Sequence, residues 1–134
     1  MGRSVKMFLL DTCALLWWTL DPEKLSDEAS NACDMIYGHG AFISSISIWE
    51  IGIKIKKNKL DIGMDIKEYV DRLNSLNIIN IIPIDENIWV ENVSLEWEHR
   101  DPADRTIVAT AKIKNLPIIT SDHIIRNFYP NVIW

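Results

Sequence analysis

Short apolar runs alternate along this chain with stretches whose hydrophobic positions recur at helical spacing. Residues 5–10 (V-K-M-F-L-L) form a compact apolar run flanked by polar positions, which predicts a strand inside a parallel sheet. Residues 12–20 (T-C-A-L-L-W-W-T-L) predict a short helix interrupted near Asp21 and Pro22. Ser26, followed by Asp27 and Glu28, has the chemistry of a helix N-terminus, and that helix is expected to run to about Tyr37 before Gly38 and Gly40 end it. A-F-I-S then predicts a second strand. From about Ser47, Ile48, Ile51 and Ile55 oppose Lys54, Lys56 and Lys57 on a helix with Glu50 in its first turn. A turn at residues 61–63 precedes an amphipathic helix over residues 65–76. The run I-I-N-I-I-P-I predicts a third strand ending near Ile84, and Asp85 caps a helix carrying Trp89, Val93 and Trp97. A helix from about Asp104 to Asn115 has a small-residue face at Ala109 and Ala111, and residues 116–120 predict a fourth strand. The final N-V-I-W predicts a short edge strand with Trp134 packed on the body.

Strands that alternate with helices imply an α/β fold, a parallel sheet covered by helices on both faces. No internal repeat or linker divides residues 1–134, so one domain is expected. Hydrophobic residues make up 48% and charged residues 25%, enough apolar side chain for a real core. No apolar stretch approaches the roughly 20 residues of a membrane span. The N-terminal residues lack a signal-peptide core, and a cytoplasmic location is expected. Cys13 and Cys33 have no C-x-x-C spacing and read as small buried thiols. The formal net charge of −5 argues against a surface built for non-specific nucleic-acid binding, but it leaves room for a nucleic-acid substrate if the acids gather at a metal.

Four acids change the picture. Asp11 in L-L-D-T-C and Asp122 in I-T-S-D directly follow strand-like runs, Glu50 lies in S-I-W-E-I-G, and Asp104 lies in R-D-P-A-D-R. In an open α/β sheet, residues at the carboxyl ends of strands converge on one crevice. Carboxylates gathered there raise one another's pKa unless a cation neutralises them. Oxygen donors without accompanying Cys or His favour a hard ion, Mg²⁺ or Mn²⁺, which activates water for attack on a phosphodiester. Thr12 and Ser121 adjoin two of these acids and can orient water or phosphate, or cap local backbone. Arg100, Arg105 and Arg126 are candidates for phosphate contact or for ion pairs that hold the acids, and Lys54, Lys56, Lys57 and Lys59 for phosphate guidance or simple solvation. His99 reads as a loop or packing residue. Of the consecutive Trp17 and Trp18, one helical face cannot bury both equally, which leaves a partner surface or internal packing open for them.

Taken together, L-L-D-T-C-A-L-L-W-W, S-S-I-S-I-W-E-I-G-I-K, H-R-D-P-A-D-R-T-I-V-A-T-A and I-I-T-S-D resemble a PIN-domain ribonuclease, and specifically the VapC-like toxins of toxin-antitoxin pairs, over essentially the full length. The resemblance implies a three-layer α/β/α sandwich around a parallel sheet and Mg²⁺- or Mn²⁺-dependent endoribonuclease activity leaving a 5′-phosphate and a 3′-hydroxyl. It implies Asp11, Asp104 and Asp122 as metal ligands and Glu50 as the fourth acid. Asp101 competes with Asp104, which is preferred because it immediately precedes the small-residue helix. An RNA substrate, a small antitoxin whose tail occupies the toxin groove, and a homodimer are further implications; such a tail is expected to dock its apolar residues near Trp17 or Trp18.

Two rival classes fit less well. An aspartate-nucleophile phosphohydrolase needs a second Asp two residues after the first, where this chain has Cys13, and a receiver-like module needs an adjacent acid pair before its phosphoacceptor strand. The alternative that keeps the fold is a catalytically inactive PIN-fold binding or scaffold protein, and retention of all four acids weighs against it.

Overall fold

The computed structural model describes residues 7–134. Its sheet consists of β1 (Leu9–Leu10), β2 (Ala41–Ser44), β3 (Ile79–Ile82), β4 (Ile118–Ile119) and β5 (Val132–Ile133), in the order β3-β2-β1-β4-β5. Every neighbouring pair is parallel. Of the run predicted as the first strand, Val5 and Lys6 lie outside the described residues. Its ladder begins at Phe8, whose carbonyl accepts from Phe42 N–H at 3.0 Å, while Leu9 N–H donates to the Pro117 carbonyl at 2.9 Å.

Because successive side chains on a strand point to opposite faces, β1 and β4 feed two cores. Leu10, Ile43 and Ile119 pack with α1 (Thr12–Leu20), α2 (Asp27–Asp34), α3 (Ile36–His39) and α5 (Ile66–Ser75), through Leu15, Cys33, Ile36 and Leu73. Leu9, Ile82 and Ile118 pack on the other face with α6 (Glu86–Ser94), α7 (Pro102–Lys114) and α8 (His123–Phe128), through Ile88, Ile107, Val108 and Ile125. Between them α4 (Ser45–Lys56) gives Ile51 to the first core and Ile46 to the second. Three layers result, as the sequence resemblance implies. In α7 the residues from Thr106 to Ala111 are all buried, which small side chains permit, and the two buried threonines return their hydroxyls to the Pro102 and Thr106 carbonyls at 2.7 Å each.

Several boundaries differ from expectation for local reasons. The helix expected to reach Tyr37 stops at Asp34: Met35 N–H donates to Ala32, a tighter turn, before α3 restarts. Gly40 ends α3 at φ 77°, and a Cβ there would lie 2.9 Å from the Ile78 carbonyl, so only glycine fits. α4 starts at Ser45 rather than Ser47 because the Ser44 hydroxyl caps it, accepting from Ile46 N–H at 3.2 Å. Glu50 therefore sits in the second turn. α7 starts at Pro102, with Asp101 as its cap. α6 ends at Ser94, which leaves Trp97 in the following loop. Cys33 is buried as expected, but Cys13 is exposed. Trp17 and Trp18 are both partly buried, packed on Trp134 and Tyr37 with ring centroids 5.6 and 6.0 Å apart.

The sheet order reverses between β1 and β4, since β2 and β3 build to one side of β1 and β4 and β5 to the other. That reversal opens a crevice at the carboxyl ends of these two strands, the usual place for a ligand in an open parallel sheet.

Candidate metal centre

Asp11 stands at the mouth of this crevice, directly after β1. It caps α1, with Oδ1 accepting from Ala14 N–H at 2.8 Å, and it is almost fully buried. The in-register pairing of Leu10 with Ile119 sets Thr120 beside it. The buried Thr120 hydroxyl donates to Asp11 Oδ2 and accepts from Asp122 N–H at 3.0 Å, so one side chain ties two acids together. Asp122 caps α8, its Oδ1 accepting from Ile124 N–H at 2.8 Å. Asp104 enters from the first turn of α7, where its Oδ2 is 2.8 Å from His99 Nε2.

The electrostatics show that three of the acids share one field. Burial pushes the Asp11 carboxyl up to about 6; the hydrogen bonds from Thr120 and Ala14 oppose this, and the charges of Asp104 and Asp122 add to it. Asp104 is also raised, first by burial, then against the His99 hydrogen bond by Asp101 and Asp122. Among the described residues no Lys or Arg comes within ion-pair distance of Asp11 or Asp122. A buried carboxylate without a counter-charge beside two others is an arrangement that a cation relieves.

Glu50 stands to one side. It pairs with Lys54 at 3.6 Å, and its charge acts on the Cys13 thiol rather than figuring among those that raise Asp11 or Asp104. Although Cys13 is exposed, the protein packed around its thiol is the largest influence holding it up at about 11, followed by the Asp11 charge, with Glu50 and Asp104 adding to it and Lys54 opposing. Thr12 is buried, and its hydroxyl lies 2.9 Å from that of Ser47, joining α1 to α4 rather than facing the crevice. Among the described residues, no three His, Cys, Asp or Glu side chains are gathered closely enough to form a ready-made cation cage. Mg²⁺ does not need one: it keeps several waters and is commonly held by one or two carboxylates together with substrate phosphates. An all-oxygen donor set with uncompensated charge fits such an ion.

The remaining candidates separate clearly. Asp101 is the cap of α7, its Oδ1 accepting from Asp104 N–H at 2.9 Å, so it positions Asp104. Ser121 is half-buried and makes no side-chain hydrogen bond among the described residues. Arg105 has no spare donor capacity for phosphate on its terminal nitrogens: Nη1 donates to the carbonyls of Trp97 (2.7 Å) and His99 (3.0 Å), and Nη2 to those of Asn92 (2.6 Å) and Leu95 (3.0 Å). Arg126 is half-buried, and its Nε has no partner among the described residues. Arg100 and Lys54, Lys56, Lys57 and Lys59 are exposed. Two site residues escaped the reading of the sequence: Thr120, and His99, which touches Asp104 instead of merely filling the loop.

The sequence model of the PIN domain matches residues 8–129. Ribonuclease VapC22 of Mycobacterium tuberculosis (strain ATCC 25618 / H37Rv) is 25% identical over 120 residues, spanning 89% of each protein. A toxin-antitoxin complex from Klebsiella pneumoniae contains a chain that superposes with a TM-score of 0.63 at 26% identity, covering 93% of this chain and 94% of that one. FitAcB from Neisseria gonorrhoeae superposes with a TM-score of 0.65 at 24% identity over 94% and 96% of the two chains, a likeness of fold.

Proposed function

The chain belongs to the PIN domain family, and from that premise we propose that it is a divalent-metal-dependent endoribonuclease, the toxin half of a toxin-antitoxin pair. The observation that carries this reading is the convergence of Asp11, Asp104 and Asp122 at the sheet's switch point, with Thr120 tying Asp11 to Asp122 and no Lys or Arg paired to any of the three among the described residues. The Mycobacterium relative is called a ribonuclease, and the Klebsiella neighbour is a toxin-antitoxin complex, which supports the same reading.

Asp11, Asp104 and Asp122 would hold Mg²⁺ or Mn²⁺. When bound, such an ion acidifies water and offsets charge developing on a phosphodiester undergoing in-line attack. The chain's own part is orientation. Asp104 Oδ1 and Asp122 Oδ2 accept nothing from the described residues, while the opposite oxygen of each is fixed by His99 or by Ile124 N–H. Asp11 is fixed through both oxygens, each with lone-pair capacity left. Glu50, paired with Lys54, would orient or deprotonate the attacking water.

Two surfaces suit the partners this reading requires. A groove of about 520 Å³ between α1 and α5, lined by Trp18, Leu20, Tyr37, Met64 and Leu73, suits an apolar tail segment of an antitoxin, whose basic residue would then reach toward Asp11. Trp49 on α4 and Trp89, Val90 and Val93 on α6 are exposed large hydrophobics, a face suited to a second copy of the chain. No helix among the described residues is long and apolar enough to cross a membrane, and action on cellular RNA would place the protein in the cytoplasm.

The test is cleavage of a mixed-sequence single-stranded RNA. Activity should vanish in excess chelator, return with Mn²⁺, and fall at least about a hundredfold in Asp104→Asn. Full cleavage in chelator rejects the mechanism.

A further inference from the structure

We propose that His99 is a positioning residue for Asp104, held in place by Arg105 so that one carboxylate oxygen is fixed and the other is presented to the cation. The inference rests on the nuclease reading above and adds to it a residue outside the four acids. His99 lies in the irregular segment between α6 and α7, where no helix or sheet ladder fixes the backbone. Arg105 supplies that order. From the second turn of α7 its guanidinium reaches back and donates to four carbonyls of residues 92–99, the last being that of His99 itself. A planar fork of donors satisfies several carbonyls in one geometry, which an ammonium cannot do.

The ring is fixed as well as the backbone. His99 lies against Trp97 with centroids 4.9 Å apart, and Trp97 stacks on Phe128 of α8 at 4.6 Å with planes 7° apart. The His99 segment is thus joined to α7, which carries Asp104, and to α8, which Asp122 caps. Its Nε2 meets Asp104 Oδ2 at 2.8 Å, with both side chains only about a fifth exposed. With Asp104 ionised, Nε2–H is the donor. Among the described residues this is the one hydrogen bond to the Asp104 carboxylate, so it sets which oxygen is held and which stays open. Outer hydrogen bonds to metal-ligating groups typically contribute ten- to a hundredfold in affinity.

Binding of Mn²⁺ to the metal-free protein, read from loss of the free-ion electron paramagnetic resonance signal, separates donation from packing. His99→Phe retains a ring against Trp97 but has no donor, whereas His99→Gln loses the ring and keeps an N–H. We expect His99→Phe to weaken Mn²⁺ binding about tenfold or more and His99→Gln to stay within about threefold of the unsubstituted protein. In an Asp104→Asn background the Phe substitution should have no further effect, because its target is gone. Urea denaturation confirms folding, and His99→Ala repeats the donor-free case should the Phe variant be unfolded. Wild-type affinity in a folded donor-free variant overturns the proposal, as does equal loss in the Phe and Gln variants. Failure of the unsubstituted protein to bind Mn²⁺ overturns the nuclease reading itself and this inference with it.

Discussion

Replacing Asp11 with Asn should make the metal-free protein more stable, not less. The carboxyl is buried, and its rise from the ordinary 3.8 to about 6 corresponds to about 3 kcal/mol of strain when it is ionised. A carboxyl raised in the folded state contributes stability that is fully present below about pH 4 and is lost as pH rises through about 6. Asn never carries the charge, so the advantage of the variant should open between these values and stay level above them. Some of it is given back. Asn caps a helix as well as Asp and keeps the bond from Ala14 N–H, but its amide turns the Thr120 hydroxyl from donor to acceptor at a cost of about 1 kcal/mol. The net expectation is about 2 kcal/mol at pH 7.5, or a melting temperature higher by roughly 8 °C in a domain of this size. Urea denaturation in chelator at pH 4.5 and pH 7.5, followed by tryptophan fluorescence, measures it. Added Mn²⁺ should narrow the gap, because the ion stabilises only the carboxylate form. An Asn variant no more stable at pH 7.5, or a gap of equal size at both pH values, would refute the reasoning.

Other positions give equally direct tests. Arg105→Ala takes a donor from four carbonyls, of which that of Leu95 keeps the Trp97 N–H, and should cost about 3 kcal/mol in urea; Arg105→Lys should recover only a minor part, since a single ammonium cannot span them. Gly40→Ala should lose about 2 kcal/mol by thermal denaturation, from positive φ and the clash with the Ile78 carbonyl; an unchanged melting temperature would contradict that geometry. Trp89→Glu, on the exposed α4 and α6 face, should shift sedimentation from dimer to monomer while leaving the far-ultraviolet circular dichroism spectrum intact.

The elements that periodicity revealed are those whose ends carry their own chemistry. Ser26 and Asp85 cap α2 and α6 where the sequence predicts, because an oxygen before a polar first turn is a local signal, and Asp65, expected as the first residue of its helix, caps α5. Starts displaced by two residues had a cap one step further back: Ser44 for α4 and Asp101 for α7, the latter masked by its reading as a rival ligand. Asp11 and Asp122 were legible as acids at strand ends. Thr120 was not, because its role depends on β4 lying beside β1 in register, and no local pattern encodes that neighbour relation. His99 was hidden for a similar reason. It is five residues from Asp104, yet their contact depends on the loop shape imposed by Arg105, a side chain whose sequence position suggested phosphate instead.

The bond between Thr120 and Asp11 closes a separation of 109 residues, and this bears on when the site comes into being. A growing chain makes β1, α1 and β2 early, and local packing can begin around them. Asp11 remains an isolated carboxylate until α7 brings Asp104 and the segment after β4 brings Thr120 and Asp122. Contacts this distant in sequence form late and reward the chain only after the loop between them has closed. A nascent chain short of residue 120 therefore lacks Thr120 and Asp122, and its sheet is unfinished. For a protein whose proposed target is RNA, that order of assembly keeps the unfinished chain harmless to the ribosome and transcript producing it.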